Sequence, residues 1–299
     1  MVLLVIPTVC FQISWLLNLG GVLNLNLSLS SYFQNFDFDE KLDYHWHHYL
    51  SSSSPTRGSD EGDKGKGNNR TRTLLIAQYT GLDERYLEFA SISERANRAY
   101  AKKWNHDYVL MKGVAINSGQ PGDATYNKLA LLKEGIDSKI YDAMLMLDAD
   151  SVIVDFDQDA LKLIPQSMLL TAHRVQPTDV SYTDNVNIGV TIWNLRHKKA
   201  SEVYDKWLRR VIARATKTFR VIPDDQAELH QVLLGYSIEE RKSMVNAINT
   251  THFAGSFVRH VIRSDGATWA SGEDDLDRRK QSIEKAVQKV CAKWFNSCD

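Results

Sequence analysis

Asp148 and Asp150 interrupt the otherwise largely apolar stretch "YDAMLMLDADSVIVD" over residues 141–155. Carboxylates two residues apart on an extended strand project to the same side, roughly 7 Å apart at the Cα atoms. So placed, they can share a hard divalent cation with the diphosphate of a substrate. The spacing recurs at Asp37/Asp39, Asp155/Asp157/Asp159 and Asp275/Asp277, so context must separate the occurrences. Asp37 and Asp39 lie in a polar, aromatic-rich leader, and Asp275 and Asp277 lie among Glu273, Arg278 and Arg279, the pattern of a solvated helix start. Only Asp148 and Asp150 follow a continuous apolar run of strand length, Ala143 to Leu147, as in a strand covered by helices on both faces. The C-terminal ends of such strands are where open α/β sheets bind ligands. The plainer alternative is a strand-ending turn with exposed aspartates.

Strands and helices alternate around this pair. Residues 73–79 form a buried-strand run, residues 85–104 carry Phe89, Ile92, Ala96, Ala99, Tyr100 and Trp104 at helical spacing, and 107–111 form a second short strand. Asp123 is a cap candidate for a helix bearing Leu129, Leu132 and Ile136, which leads into the Asp-x-Asp strand. This β-α-β-α-β order predicts a parallel sheet, the Rossmann-like nucleotide-binding half of a domain. It lacks a G-x-G-x-x-G turn after the first strand, which argues against a nicotinamide cofactor. Further on, 167–173 and 187–195 read as strands, and 197–215 and 224–234 as helices. A last amphipathic helix over about 272–295 has Leu276, Ile283, Val287, Val290 and Trp294 on one side, a packing stripe.

At 299 residues and 43% hydrophobic content the chain can bury one large core. Thirty-six basic residues against thirty-seven acidic ones, with no dominant basic block, give no electrostatic reason for a nucleic-acid partner. The first 36 residues carry no charged side chain and read as an export signal or membrane anchor, although Pro7, Gln12, Asn18 and Gly20-Gly21 dilute the run and leave an N-terminal core segment as an alternative. Residues 51–70, rich in Ser, Gly and charge, read as a linker. The predicted organisation is therefore a signal anchor or signal peptide over 1–30, a flexible stem over 31–70, a catalytic domain over 71–271 and a C-terminal amphipathic helix over 272–299 packed on that domain. Acceptor triplets for N-glycosylation at Asn26, Asn69 and Asn249 point to the ER or Golgi lumen, with a single-pass membrane attachment or secretion. Cys291 and Cys298 can pair if the last helix ends near Asn296-Ser297; two free thiols are the alternative.

Four segments stand in order: "LDAD" at 147–150, "NVNIGVTIWNL" at 185–195, "PDDQAEL" at 223–229 and "THFAGS" at 251–256. Together they resemble the GT-A glycosyltransferases. The likeness is to the galactosyl-, mannosyl- and xylosyltransferase family of yeast mannan and plant xyloglucan synthesis, and more loosely to glycogenin-like enzymes. It covers about residues 73–263, including the Lys128-bearing helix that leads into the Asp-x-Asp strand. The resemblance implies an α/β fold of GT-A type, a Rossmann-like half continuous with a mixed-sheet acceptor half. It also implies transfer of a hexose or pentose from a nucleotide-diphosphate sugar to a glycan or glycoprotein acceptor, with retention.

By the same resemblance Asp148, Asp150 and His252 would hold Mn2+ or Mg2+, with Asp148 also near the donor ribose. Gln78, Tyr79 and Thr80 would meet the nucleotide base, Lys128 would belong to the donor-binding set, and Gly255 would let the backbone approach the diphosphate. Asn187, Asp225 and Gln226 would line the sugar and acceptor side. Glycogenin-like enzymes continue after His-x-x-Gly with Lys-Pro-Trp, where this chain has Val258 at the Lys position, so Arg259 or Arg263 would supply that charge. Taken alone, His252 reads as a hydrogen-bonded core histidine, Asp225 as an acidic helix cap and Asn187 as structural. The set is coherent because a divalent ion stabilises the negative charge that develops on a departing nucleoside diphosphate.

"MLMLDADSV" also fits a haloacid dehalogenase-like phosphatase, with Asp148 as nucleophile, Asp150 as acid/base and Asp224/Asp225 on Mg2+. That motif should end the first strand of its domain, whereas two strands and two helices precede it here. A sugar-binding domain without catalysis is the other alternative.

Overall fold

The computed structural model describes residues 72–115, 123–174, 186–215, 225–249, 251, 255–262 and 273–295. The leader, the stem and His252 lie outside these residues.

β1 (Leu74–Thr80) is buried at every position. α1 (Glu84–Trp104) starts where the Asp83 side chain accepts the Arg85 N–H and stops at Asn105, whose φ of 53° reverses the chain. β2 (Asp107–Lys112) follows. A 3-10 turn over Asp123–Tyr126 leads into α2 (Asn127–Ser138), and β3 (Ala143–Leu147) is buried throughout. β2 and β3 flank β1 and run parallel to it, which is the parallel half-sheet expected from the alternation.

The second half is mixed. β4 (Ser151–Ile153), β5 (Leu170–Arg174) and β6 (Val186–Asn194) come next, then α3 (Ala200–Ala215) and α4 (Asp225–Leu234). α5 (Ile238–Met244) opens with a capping box between Ser237 and Glu240 and runs straight into β7 (Val245–Ile248). β8 (Val258–His260) and the C-terminal α6 (Glu273–Trp294) complete the described chain. The main sheet has the order β2-β1-β3-β6-β5-β7, with β6 antiparallel to both neighbours, and β4 and β8 form a separate antiparallel pair. A Rossmann-like parallel half thus continues into a mixed half, the α/β architecture expected. The periodicity anticipated all these elements except β4, α5, β7 and β8, which are three to seven residues long, too short to show a period.

Extended geometry does not persist through the Asp-x-Asp pair. The Ser151 N–H donates to the Asp148 carbonyl at 3.1 Å, closing a turn between β3 and β4. The turn is not the exposed one of the plainer reading, because Asp150 is buried and Asp148 half-buried. β4 then pairs with β8 in a register that sets Ser151 opposite His260, and the Val261 N–H donates to the Asp150 carbonyl at 3.0 Å.

α6 lays Ile283, Ala286, Val287 and Val290 into the cluster formed by Phe89, Ala96, Tyr100, Phe156 and Phe257. Its start keeps Asp274 and Asp277 exposed, as its charges suggested, whereas Arg279 is buried. Cys291 is disulfide-bonded, and the other two cysteines, Cys10 and Cys298, lie outside the described residues. Among the described residues no helix is long and apolar enough to cross a membrane.

Candidate metal and donor site

Asp148, Asp150 and His260 converge where β3 turns into β4. One ligand atom from each lies within 4.8 Å of the others. His260 Nε2 stands 3.3 Å from Asp150 Oδ1 and 3.5 Å from Asp148 Oδ2. Adjacent ligands around an ion with bonds of about 2.1–2.2 Å stand about 3 Å apart, so two carboxylate oxygens and one imidazole nitrogen at these separations suit a small divalent cation. One further observation fits such an ion. Gly189 leaves the space open: a Cβ there would overlap His260 Cε1 and come within 2.6 Å of its Nε2 and 2.8 Å of Asp148 Oδ2.

The remaining carboxylate oxygens are held from outside. Asp148 Oδ1 accepts the Tyr79 hydroxyl and lies 3.4 Å from Lys128 Nζ, while Asp150 Oδ2 pairs with the Arg279 guanidinium. Each aspartate therefore keeps one oxygen turned to His260. Burial alone would raise the Asp150 carboxyl, but His260 and Arg279 outweigh it and hold the group at about 2. Burial would likewise lower His260, yet Asp150 and Asp148 push it up to about 9, so without a cation an imidazolium occupies the centre. Tyr79 is raised well above its ordinary value by burial and by Asp148, which keeps its hydroxyl a donor.

Lys128 and Asp225 join α4 to this centre. Lys128 is buried on α2, and its ammonium bonds Asp225 Oδ2 at 2.6 Å. Burial would lower its pKa, but Asp148 and Asp225 more than offset that and raise it. Asp225 opens α4, its carbonyl accepting the Trp207 indole N–H at 2.9 Å. Beside it, Gln226 Oε1 accepts the Ile188 N–H at 3.1 Å, and Asn187 Oδ1 accepts the Gly189 N–H at 3.0 Å. Gln226 and Asn187 thus shape the start of β6, which carries Gly189 past Asp148 and His260, and the Gly189 carbonyl accepts the Asp148 N–H at 2.8 Å.

Gln78 is fully buried and its amide is engaged within the fold. It donates to Ser93 Oγ at 2.7 Å and to the Ala149 carbonyl at 3.2 Å, and accepts from Asn97 at 3.1 Å and from the Tyr108 hydroxyl at 2.5 Å. It ties β1 and α1 to the aspartate turn. Thr80 ends β1 with its hydroxyl buried and without a partner among the described residues. Gly255 is buried. Arg259 stands beside His260 on β8, its Nε also buried and without a partner. Alternation along a strand turns adjacent side chains to opposite faces, so Arg259 leaves β8 on the face away from His260. His252 lies outside the described residues, and among these the imidazole at the aspartates is His260. Sequence reasoning did not single it out. The signal available was Gly189, the one β6 residue without a side chain.

No protein-family model and no curated protein matches the chain. Similar solved structures exist. The three described here are glycosyltransferases. One, involved in glycosylation of the major capsid of PBCV-1, is 12% identical over 71% of this chain and 99% of its own, with a TM-score of 0.49. Another, from Streptococcus pneumoniae TIGR4, is 15% identical over 76% of this chain and 64% of its own, with a TM-score of 0.45. A galactosyltransferase solved with donor and acceptor sugar analogues is 13% identical over 72% of this chain and 95% of its own, with a TM-score of 0.39.

Proposed function

We propose that the chain is a metal-dependent glycosyltransferase that moves a hexose or pentose from a nucleotide-diphosphate sugar to a glycan or glycoprotein acceptor, with retention. The observation that carries this reading is the convergence of Asp148 Oδ2, Asp150 Oδ1 and His260 Nε2 at the C-terminal end of β3, the ligand-binding edge of a parallel half-sheet. Asp148, Asp150 and His260 would hold Mn2+ or Mg2+, and the mixed oxygen and nitrogen set favours Mn2+. A bound ion would act as a Lewis acid on the donor diphosphate. Lys128 balances the charges of Asp148 and Asp225 and so keeps two carboxylates beside the cation site without mutual repulsion. Asp225 and Gln226, at the N-terminus of α4, face the donor site from the acceptor half. Motif order alone places the chain near the galactosyl-, mannosyl- and xylosyltransferases of mannan and xyloglucan synthesis.

The phosphatase reading draws no support from the site, where Asp148 has one oxygen bonded by Tyr79 and the other turned to His260. For location we propose the lumen of the ER or Golgi, with attachment through the N-terminal segment. The disulfide at Cys291 supports an oxidising compartment.

The test is a screen of nucleotide sugars against the purified full chain, reading nucleoside diphosphate release with Mn2+ and with a chelator. Mn2+-dependent release from at least one donor is expected. Turnover that survives the chelator would overturn the metal-dependent reading. Donor binding without any turnover would leave a sugar-binding domain, and a phosphoenzyme on Asp148 a phosphatase.

A further inference from the structure

Arg279 lies 129 residues from Asp150 in sequence and on a different layer of the fold, yet it reaches the Asp-x-Asp turn. Its guanidinium is buried, with Nη2 on Asp150 Oδ2, Nε on the Val261 carbonyl at 3.0 Å and Nη1 on the Tyr86 hydroxyl at 3.3 Å. The Val261 N–H in turn bonds the Asp150 carbonyl at 3.0 Å. Asp150, Val261 and Arg279 therefore form a closed ring that joins the aspartate turn, the residue after His260 and α6. The guanidinium also stacks over Tyr86 and Phe89, 5.3 and 5.1 Å from their ring centroids.

Fold stability alone does not call for a cation here. Desolvating a guanidinium and a carboxylate is costly, and a well-packed apolar pair of similar volume is often as stable. An apolar side chain on α6 would still cover Tyr86 and Phe89. It could not bond Asp150 and the Val261 carbonyl together.

We propose that Arg279 is a positioning residue of the cation site. By taking Asp150 Oδ2 it turns Oδ1 toward His260 Nε2, and by holding the Val261 carbonyl in the same fork it sets the gap between the two segments that carry these ligands. The fork matters more than the charge, because a lysine offers no rigid planar set of donors aimed at three acceptors. The proposal rests on the metal-site reading above.

The experiment measures Mn2+ affinity of the full chain by electron paramagnetic resonance of free Mn2+, with thermal unfolding alongside, for wild type, Arg279→Lys, Tyr86→Phe and Val287→Ala. Arg279→Lys keeps the charge and loses the fork, so affinity should weaken at least about tenfold, the range seen when partners of metal ligands are removed. Tyr86→Phe frees one corner of the guanidinium without altering any charge, should weaken binding severalfold, and decides the matter if Arg279→Lys does not fold. Val287→Ala should lower the melting temperature with affinity unchanged, since Val287 packs in the α6 interface away from the ring. Wild-type affinity in Arg279→Lys, or in Tyr86→Phe should that be the variant that folds, overturns the proposal while leaving the metal site standing. An equal loss in Val287→Ala overturns it as well, by making α6 packing the cause. A wild-type chain that binds no Mn2+ at all refutes the metal site itself.

Discussion

Lys128 Nζ bonds Asp225 Oδ2 at 2.6 Å and lies 3.4 Å from Asp148 Oδ1, so one buried ammonium stands between the carboxylate that follows β3 and the one that opens α4. Lys128→Met would leave Asp225 buried without this partner. Stripping one member from a buried pair costs about 3–5 kcal/mol. Urea unfolding of the metal-free chain should show a loss of that size, and a loss below about 1 kcal/mol would mean that the pair is solvated.

Gly189→Ala is the sharpest steric test of the cation site. The added methyl would overlap His260, which is buried, and crowd Asp148 Oδ2 at 2.8 Å, whose partner oxygen Tyr79 holds. Mn2+ affinity should fall about a hundredfold or more, whereas overpacking should cost only about 1–3 kcal/mol of stability. Calorimetric titration with Mn2+ checks the first figure and denaturant unfolding the second.

Asp150→Asn removes a ligand charge and should lower donor turnover at least about a hundredfold, corresponding to several kcal/mol of transition-state stabilisation. An exposed strand-end aspartate could be exchanged without cost to folding. Asp150 is instead buried against Arg279. The amide leaves that guanidinium without its counter-charge, so the variant should also unfold more readily, by about 1–3 kcal/mol. A stability equal to wild type would show that solvent reaches Arg279.

His260 is raised from 6.5 to about 9 by Asp150 and Asp148 against the effect of burial. Because the folded value lies above the unfolded one, the imidazolium stabilises the metal-free fold fully below about pH 6.5, and this contribution is lost as pH rises through about 9. Cation binding requires the neutral ring. Mn2+ affinity should therefore climb about tenfold per pH unit across that window and level off above it. A pH-independent affinity would remove His260 from the ligand set.

Asn249 is exposed at the end of β7, in an acceptor triplet with Thr251. In cells the full chain should carry glycosidase-sensitive mass at Asn249 or Asn69 if the domain is luminal. An unmodified chain in the cytosolic fraction would reverse that assignment.

Local pattern was enough to read the parallel half of the sheet. β1 and β3 are buried on both faces, so Leu74 to Ala77 and Ala143 to Leu147 are continuously apolar, and α1 and α6 bury one stripe each at helical period. The same pattern picked Asp148 and Asp150 from the other aspartate pairs, because only they follow such a strand, and motif order brought Lys128, Asn187, Asp225 and Gln226 to one neighbourhood. What periodicity cannot carry is a side chain delivered by a three-residue strand. β8 is too short to show alternation, and its place is set by pairing with β4, so the arrival of His260 opposite Ser151 depends on the closed turn at Asp148. Arg279 shows the same limit more strongly. In sequence it belongs to a charged helix start, and only the packing of α6 against α1, which takes Arg279 out of water while Asp274 and Asp277 stay exposed, turns a surface arginine into the counter-charge of Asp150.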